Sequence, residues 1–310
     1  MRTFLTGISS IGVAFLIGLM SPIAATAQKA ESINVKTLSL GFVSDTRHKE
    51  IEERFRDFVR YTARKLSPET EIQSKVVTAS TSFELVKLLE QRKVDFFMES
   101  AYPTYVINFV HGAGKLLLRR WKGGMAEYYS IIFTRRDSGI KRLEGLKGET
   151  IVFEDPGSTS GYLLPKLFLL RQGLKLTEKA RFDPNGVVSD ITYIFARSQD
   201  RLVDLVLTKK TAAGAFSSDD YSALEEKKRT DISILAQTER LPRHLVSVRS
   251  DLAPAVVGRL QEVLLKMHED TEGRTILQKA DDTTKFDMLP GGEATMRRRL
   301  LESFYSGNNR

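Results

Sequence analysis

TIVFEDPGSTSGYLLPKLFLLRQG, residues 150–173, decides the architecture of the chain. Thr150 to Phe153 is a short apolar run rich in β-branched and aromatic residues, which reads as a buried strand. Tyr162 to Gln172 is a helical stretch, and Gly173 ends it as a left-handed cap. The loop between them, Glu154 to Gly161, leads from strand to helix, where an open parallel sheet places its ligand crevice. Three consecutive hydroxyls, Ser158, Thr159 and Ser160, stand there between Gly157 and Gly161. The free N–H groups of a first helical turn, with the positive end of the helix dipole behind them, favour an anion. A single Ser would suffice to cap such a helix. Three hydroxyls between glycines exceed that need and predict a site for a tetrahedral oxyanion.

The same alternation of strand and helix continues on both sides. Upstream, Val35 to Val43 is an apolar run opening a loop at Ser44-Asp45-Thr46, and Ile51, Phe55, Phe58, Thr62 and Leu66 repeat at helical spacing. Ile72 to Val77 alternates as a strand. Thr81-Ser82-Phe83-Glu84 reads as a capping box opening a helix that carries Phe83, Val86 and Leu89 on its apolar face. Val94 to Met98 is a continuous apolar strand closed by Glu99-Ser100-Ala101-Tyr102-Pro103. Downstream, Tyr128 to Arg135, Ala212 to Phe216 and Ile232 to Ala236 read as strands, and Asp200 to Leu207 as a helix. This order predicts an α/β fold with parallel sheets covered on both faces. Two such units stand in series, and the last amphipathic helix, from Leu252 to Met267, belongs to neither. The chain is therefore expected to cross between two lobes and return, near residues 124–127 and 238–242. Residues 28–125 and 241–310 would form the first lobe and 126–240 the second.

The composition is that of a globular protein: 310 residues, 41% hydrophobic and 28% charged, which argues against a disordered chain or a multi-pass membrane protein. The absence of cysteine removes disulfides, thiolate nucleophiles and zinc–thiolate sites. The net charge of +8 is scattered through helices without an aromatic-rich face, so nucleic acid is not an expected partner. His48, His111, His244 and His268 lack metal-ligand spacing, and neither a metal nor a cofactor is expected. Arg119-Arg120-Trp121-Lys122 has two readings: a lining of the cleft mouth that raises the local anion concentration, or a basic surface patch pinned by the Trp. At the N-terminus no charge follows Arg2 until Lys29, Ile11 to Met20 is apolar apart from two glycines, and Ala25-Thr26-Ala27 offers a small-x-small site. Residues 1–27 thus read as a cleaved signal peptide directing the chain to the periplasm. An uncleaved anchor is the competing reading, but the strongly apolar part is shorter than the ~20 residues of a span.

Two enzymatic readings of the hydroxyl loop are weaker. No Gly-Lys-[Ser/Thr] follows it, so it is not a P-loop. It nearly fits the nucleophile elbow G-x-S-x-G, but Thr159 stands at the centre, and only His244 and His268 could serve as a downstream base. A Ser/Thr hydrolase is the less favoured alternative.

FEDPGSTSGYLLP resembles the D-P-x-S-T-S-G-Y-x-x-P signature of the periplasmic binding proteins of phosphonate, phosphite and phosphate ABC transporters. Lys93-Val94-Asp95-Phe96, Ala101-Tyr102, Ser130 to Gly139 and Leu241-Pro242-Arg243-His244 are similar to further segments of that family, so the likeness runs along most of the chain. The resemblance implies the two-lobed periplasmic-binding-protein (type II) fold, each lobe a mainly parallel sheet flanked by helices, closing on its ligand without chemistry. It also implies a monomer, a small oxyanion as ligand, and an ABC-transporter permease as partner. A membrane sensor kinase is the alternative partner. Carried over by position, Ser158, Thr159 and Ser160 would bind oxyanion oxygens and Tyr102 would close the pocket from the first lobe. Glu99 stands where the family usually has Gly, and Ser198-Gln199-Asp200 where it often has a His. Asp219 or Asp220 would stand for the family's acid that contacts a ligand amine. Glu99, Gln199 and Asp219 are therefore candidate ligand residues beside the hydroxyl loop.

Overall fold

The computed structural model describes Met1 and residues 35–179 and 190–305. The expected signal peptide, residues 1–27, lies outside the described residues. No described helix is long and apolar enough to cross a membrane.

Among the described residues the first series is β1 (Thr37–Val43), α1 (His48–Leu66), β2 (Gln73–Ala79), α2 (Ser82–Glu90), β3 (Phe96–Glu99), α3 (Ala101–Tyr105) and β4 (Gly114–Lys122). A second series holds β5 (Glu127–Tyr128), β6 (Ser130–Arg135), β7 (Thr150–Phe153), α4 (Leu164–Arg171), β8 (Leu176–Glu178), β9 (Ile191–Phe195), α5 (Gln199–Leu207), β10 (Ala213–Ser217), α6 (Ser218–Ala223), α7 (Glu226–Thr230) and β11 (Ile232–Gln237). The last consists of β12 (Leu241–Pro242), β13 (His244–Arg249), α8 (Pro254–Lys266), α9 (Thr271–Lys279), β14 (Thr283–Met288) and α10 (Gly292–Tyr305).

Among the described residues these strands build two six-stranded sheets, ordered β14-β4-β13-β3-β1-β2 and β11-β6-β10-β7-β9-β8. Strands joined through helices pair in parallel: β1 with β2 and β3, and β7 with β9 and β10. Strands that arrive from elsewhere run antiparallel, because no crossover constrains their direction. β13 enters the first sheet between β3 and β4 in this way, and β6 enters the second beside β10 and β11. Both sheets are accordingly mixed. β5 and β12, the segments through which the chain leaves and regains the first sheet, pair with each other, Leu241 opposite Tyr128 and Pro242 opposite Glu127.

Each sheet is buried by helices whose spacing requires it. α1 turns Phe55, Phe58, Val59 and Leu66 into the core of the first sheet, where α8 adds Val256, Leu260 and Leu264. α4 and α5 cover opposite faces of the second sheet through Leu169 and through Leu202, Val203 and Val206.

Two local expectations need correction. Thr81 does cap α2, its hydroxyl accepting from the Glu84 N–H at 3.1 Å, but the Glu84 carboxylate accepts from Ser80 (2.7 Å) instead of closing a box on Thr81. Phe83 is 54% exposed, and Leu85 takes the core position beside Val86 and Leu89. The Arg119–Lys122 stretch neither lines a cleft mouth nor forms a simple surface patch. It is part of β4, with Arg120 buried and donating to Thr283 Oγ1, the Ala280 and Asp281 carbonyls and the Asp281 carboxylate (3.0 Å). Lys122 also meets Asp281, at 2.9 Å, and Arg119 pairs with Asp287 at 2.7 Å. A buried guanidinium needs such acceptors, and β14 and the turn before it supply them.

Candidate functional site

The loop after β7 forms the centre of the site. Ser158 caps the helix that follows: its Oγ accepts from the Gly161 N–H and donates to Glu154 Oε2, both at 2.9 Å. The first turn is wide, with the Leu163 N–H reaching back to the Ser158 carbonyl, before regular α4 begins. Gly161 is required by close approach, since a Cβ there would lie 2.6–2.8 Å from atoms of Glu154 and Ser158.

Thr159, 2% exposed, joins the two sheets' loops directly. Its Oγ1 accepts from the backbone N–H of Tyr102 and donates to Ser100 Oγ, each at 2.9 Å. Tyr102 and Ser100 follow β3 of the first sheet, so the hydroxyl loop of one sheet and the Ser100–Tyr102 loop of the other share these bonds. Ser160 is buried, and its carbonyl accepts from Ser130 Oγ at 2.6 Å. Tyr128 is buried beside them, and burial holds its phenol above its ordinary pKa against the pull of the Arg243 charge and of the Thr159 and Ser160 hydroxyls. The Arg243 guanidinium lies 4.6 Å over the Tyr128 ring and pairs with Asp219 at 2.5 Å.

The other candidates occupy distinct places. Glu99 ends β3, buried, and accepts from the Val43 N–H at 2.6 Å. Burial pushes its carboxyl up to about 7, against the pull of the Val43 and Ser100 N–H donors and the Arg47 charge, while Asp155 adds to the rise. Burial likewise raises Glu154 and Asp155, each reinforced by a further carboxylate: Asp155 for the former and Asp45 for the latter. Acids from both sheets' loops thus meet around the hydroxyls, with Arg47 and Arg197 as the countercharges that pull Asp155 the other way. Gln199 opens α5 next to its cap, Ser198, and both its Oε1 and Nε2 are buried without a hydrogen-bond partner. The Arg197 N–H, two residues earlier, donates to the Glu154 carbonyl at 2.8 Å, which ties this loop to the hydroxyl loop. Asp219 accepts from the Arg243 guanidinium.

Sequence reasoning missed Arg243 and Tyr128. Arg243 stands within Leu241-Pro242-Arg243-His244, which reads as a return segment, and nothing local marks a buried guanidinium whose desolvation Tyr128 and Asp219 offset. Among the described residues no group of acids and histidines could hold a metal ion.

Chemically, the arrangement gathers buried hydroxyls and an amide with no partner at the meeting of two α/β units. That defines a two-lobed solute-binding protein. The chain belongs to the family of periplasmic substrate-binding proteins of phosphonate ABC transporters, whose sequence model matches residues 40–289. Solved relatives share this architecture. XAC2383 from Xanthomonas citri, in structures bound to ATP and to chloride ion, is 27% and 28% identical with TM-scores of 0.78 and 0.79, covering 88% of this chain and 97% of its own. PhnD1 from Prochlorococcus marinus, in complex with methylphosphonate, is 16% identical with a TM-score of 0.66, covering 88% of this chain and 98% of its own. At that identity the likeness to PhnD1 is one of fold.

Proposed function

We propose that the protein captures a phosphorus oxyanion (phosphonate, phosphite or phosphate) between its lobes and delivers it to the permease of an ABC transporter. The observation that carries this reading is Thr159: a buried hydroxyl of the second lobe's anion loop that bonds the Tyr102 N–H and Ser100 of the first. Any oxyanion seated against Ser158, Thr159 and Ser160 touches both lobes, so its binding energy favours the closed arrangement. Tyr102 closes the pocket, the unpartnered Gln199 amide supplies a donor and an acceptor, and Glu99 accepts from a protonated ligand oxygen. Asp219 acts through Arg243, holding the guanidinium under Tyr128. The lobes comprise residues 28–125 with 241–310, and 126–240, and they hinge at the paired crossing segments near 124–127 and 238–242. Closure needs no bond-making group, in keeping with a family of binding proteins.

A thermal-shift screen with phosphate, phosphite, methylphosphonate, sulfate, chloride and ATP tests the reading. ATP and chloride are included because the Xanthomonas citri relative was solved with each. A ligand that binds only the folded state raises the melting temperature. Stabilisation by at least one phosphorus oxyanion is expected; stabilisation by none of them overturns the reading.

A further inference from the structure

We propose that the C-terminal helix α10 is a strap that favours the closed arrangement from outside the cleft, with Arg171 and Arg299 as its positioning residues. This rests on the two-lobe closure described above, but on none of the ligand contacts.

α10 touches both crossing segments, α4 of the second lobe and the Tyr102 loop of the first. Arg299 on the helix donates to Glu127 of β5 at 2.5 Å and to the Arg240 carbonyl, just before β12, at 2.6 Å. One guanidinium therefore grips both crossing segments. At the far end, Arg171 of α4 donates to the carbonyls of Ser303 (2.7 Å) and Glu302 (3.3 Å) and pairs with Glu239 at 3.3 Å. Carbonyls in a helix's last turn have no partner within the helix, and the negative end of its dipole favours a cation there. Arg171 belongs to the second sheet's helix layer, so the end of α10 is held by the opposite lobe.

The buried face of the helix is mainly apolar. Met296 and Leu300 are buried in one cluster with Leu164 of α4 and with Leu241 and Leu245 of the returning chain. The Phe304 ring lies 5.9 Å from that of Tyr102 and 5.4 Å from that of Tyr105. The strap thus ends against Tyr102, whose N–H meets Thr159 across the lobes.

Contacts made in one state and loosened in the other shift the equilibrium by their differential free energy. Apparent affinity then falls with the fraction of molecules in the competent state, by the same factor for every ligand. That common factor separates a strap from a cleft residue, whose loss discriminates between ligands.

The chain has no cysteine, so Glu90→Cys and Arg201→Cys, at exposed positions on α2 and α5, place one spin label on each lobe of the full chain without background. Pulsed EPR distances are compared between this parent, Arg171→Gln and Arg299→Gln. The longer-distance population is expected to grow in both variants. Dissociation constants for methylphosphonate and for inorganic phosphate should rise together, roughly three- to tenfold, with partial recovery in Arg171→Lys. Distance distributions unchanged in both Arg171→Gln and Arg299→Gln would overturn the strap, as would a loss of affinity for one ligand only. If neither oxyanion binds the parent but the distances still lengthen, the strap stands and the ligand assignment fails.

Discussion

The buried carboxyl of Glu99 makes a quantitative prediction. It sits at the end of β3, takes N–H bonds from Val43 and Ser100, and is raised from its ordinary 4.5 to about 7, mainly by burial. The folded chain therefore binds this proton more tightly than the unfolded chain does. Between pH 4.5 and 7 the folded state holds more protons, so the group's contribution to stability is fully present below that window, declines through it and is flat above it. At about 1.4 kcal/mol for each tenfold change in proton affinity, the decline amounts to about 3 kcal/mol. Glu99→Gln removes the titration while keeping the shape and one acceptor. Any cost of replacing a carboxylate acceptor by an amide is the same at every pH and cancels in a comparison. Urea denaturation of both proteins at pH 5 and pH 8 is the assay. The natural protein should lose about 2–3 kcal/mol more than the variant between the two pH values. Equal losses in the two proteins would refute the reasoning.

Two further outcomes follow from buried polar groups. Asp281 is held down at about 2 by Arg120 and Lys122 against the effect of its own burial, and Asp281→Asn leaves the Arg120 guanidinium without a countercharge; denaturation should show a loss of about 3 kcal/mol, and natural stability in the variant would contradict the network. Gln199→Leu relieves a buried amide that has no partner within the chain, so the fold should gain about 1 kcal/mol while oxyanion affinity falls; a stabilised variant with undiminished affinity would remove Gln199 from the site.

What could be read from the sequence was what short-range pattern encodes. The strand, loop and helix around Ser158–Ser160 are contiguous, so their order and the crevice position of the loop follow from spacing alone. The alternation upstream likewise gives β1, α1, β2, α2 and β3. The entry of β13 between β3 and β4 was hidden, because pairing residues 245–248 with 96–99 leaves no local mark. Arg120 was misjudged for the same reason: a basic run looks identical whether it meets water or an aspartate 161 residues away. Phe83 shows the limit of periodicity, since Phe83, Val86, Leu89 and Leu85, Val86, Leu89 fit a helical face equally well. Arg243 lies at the far end of the return segment, and its place under Tyr128 depends on the pairing of β5 with β12.

Binding of a phosphorus oxyanion by the hydroxyl loop is tested most directly by titration calorimetry. Methylphosphonate, phosphite and phosphate are titrated into the natural protein and into Thr159→Val, which deletes the hydroxyl shared with Tyr102 and Ser100. A hydrogen bond to a charged oxygen in a water-poor site is worth roughly 1.5–3 kcal/mol, so the variant should bind at least about tenfold more weakly while remaining folded. Binding of at least one of the three, weakened to that extent by the substitution, is the predicted result. No heat with any of them, or an affinity unchanged in a folded Thr159→Val protein, would contradict it.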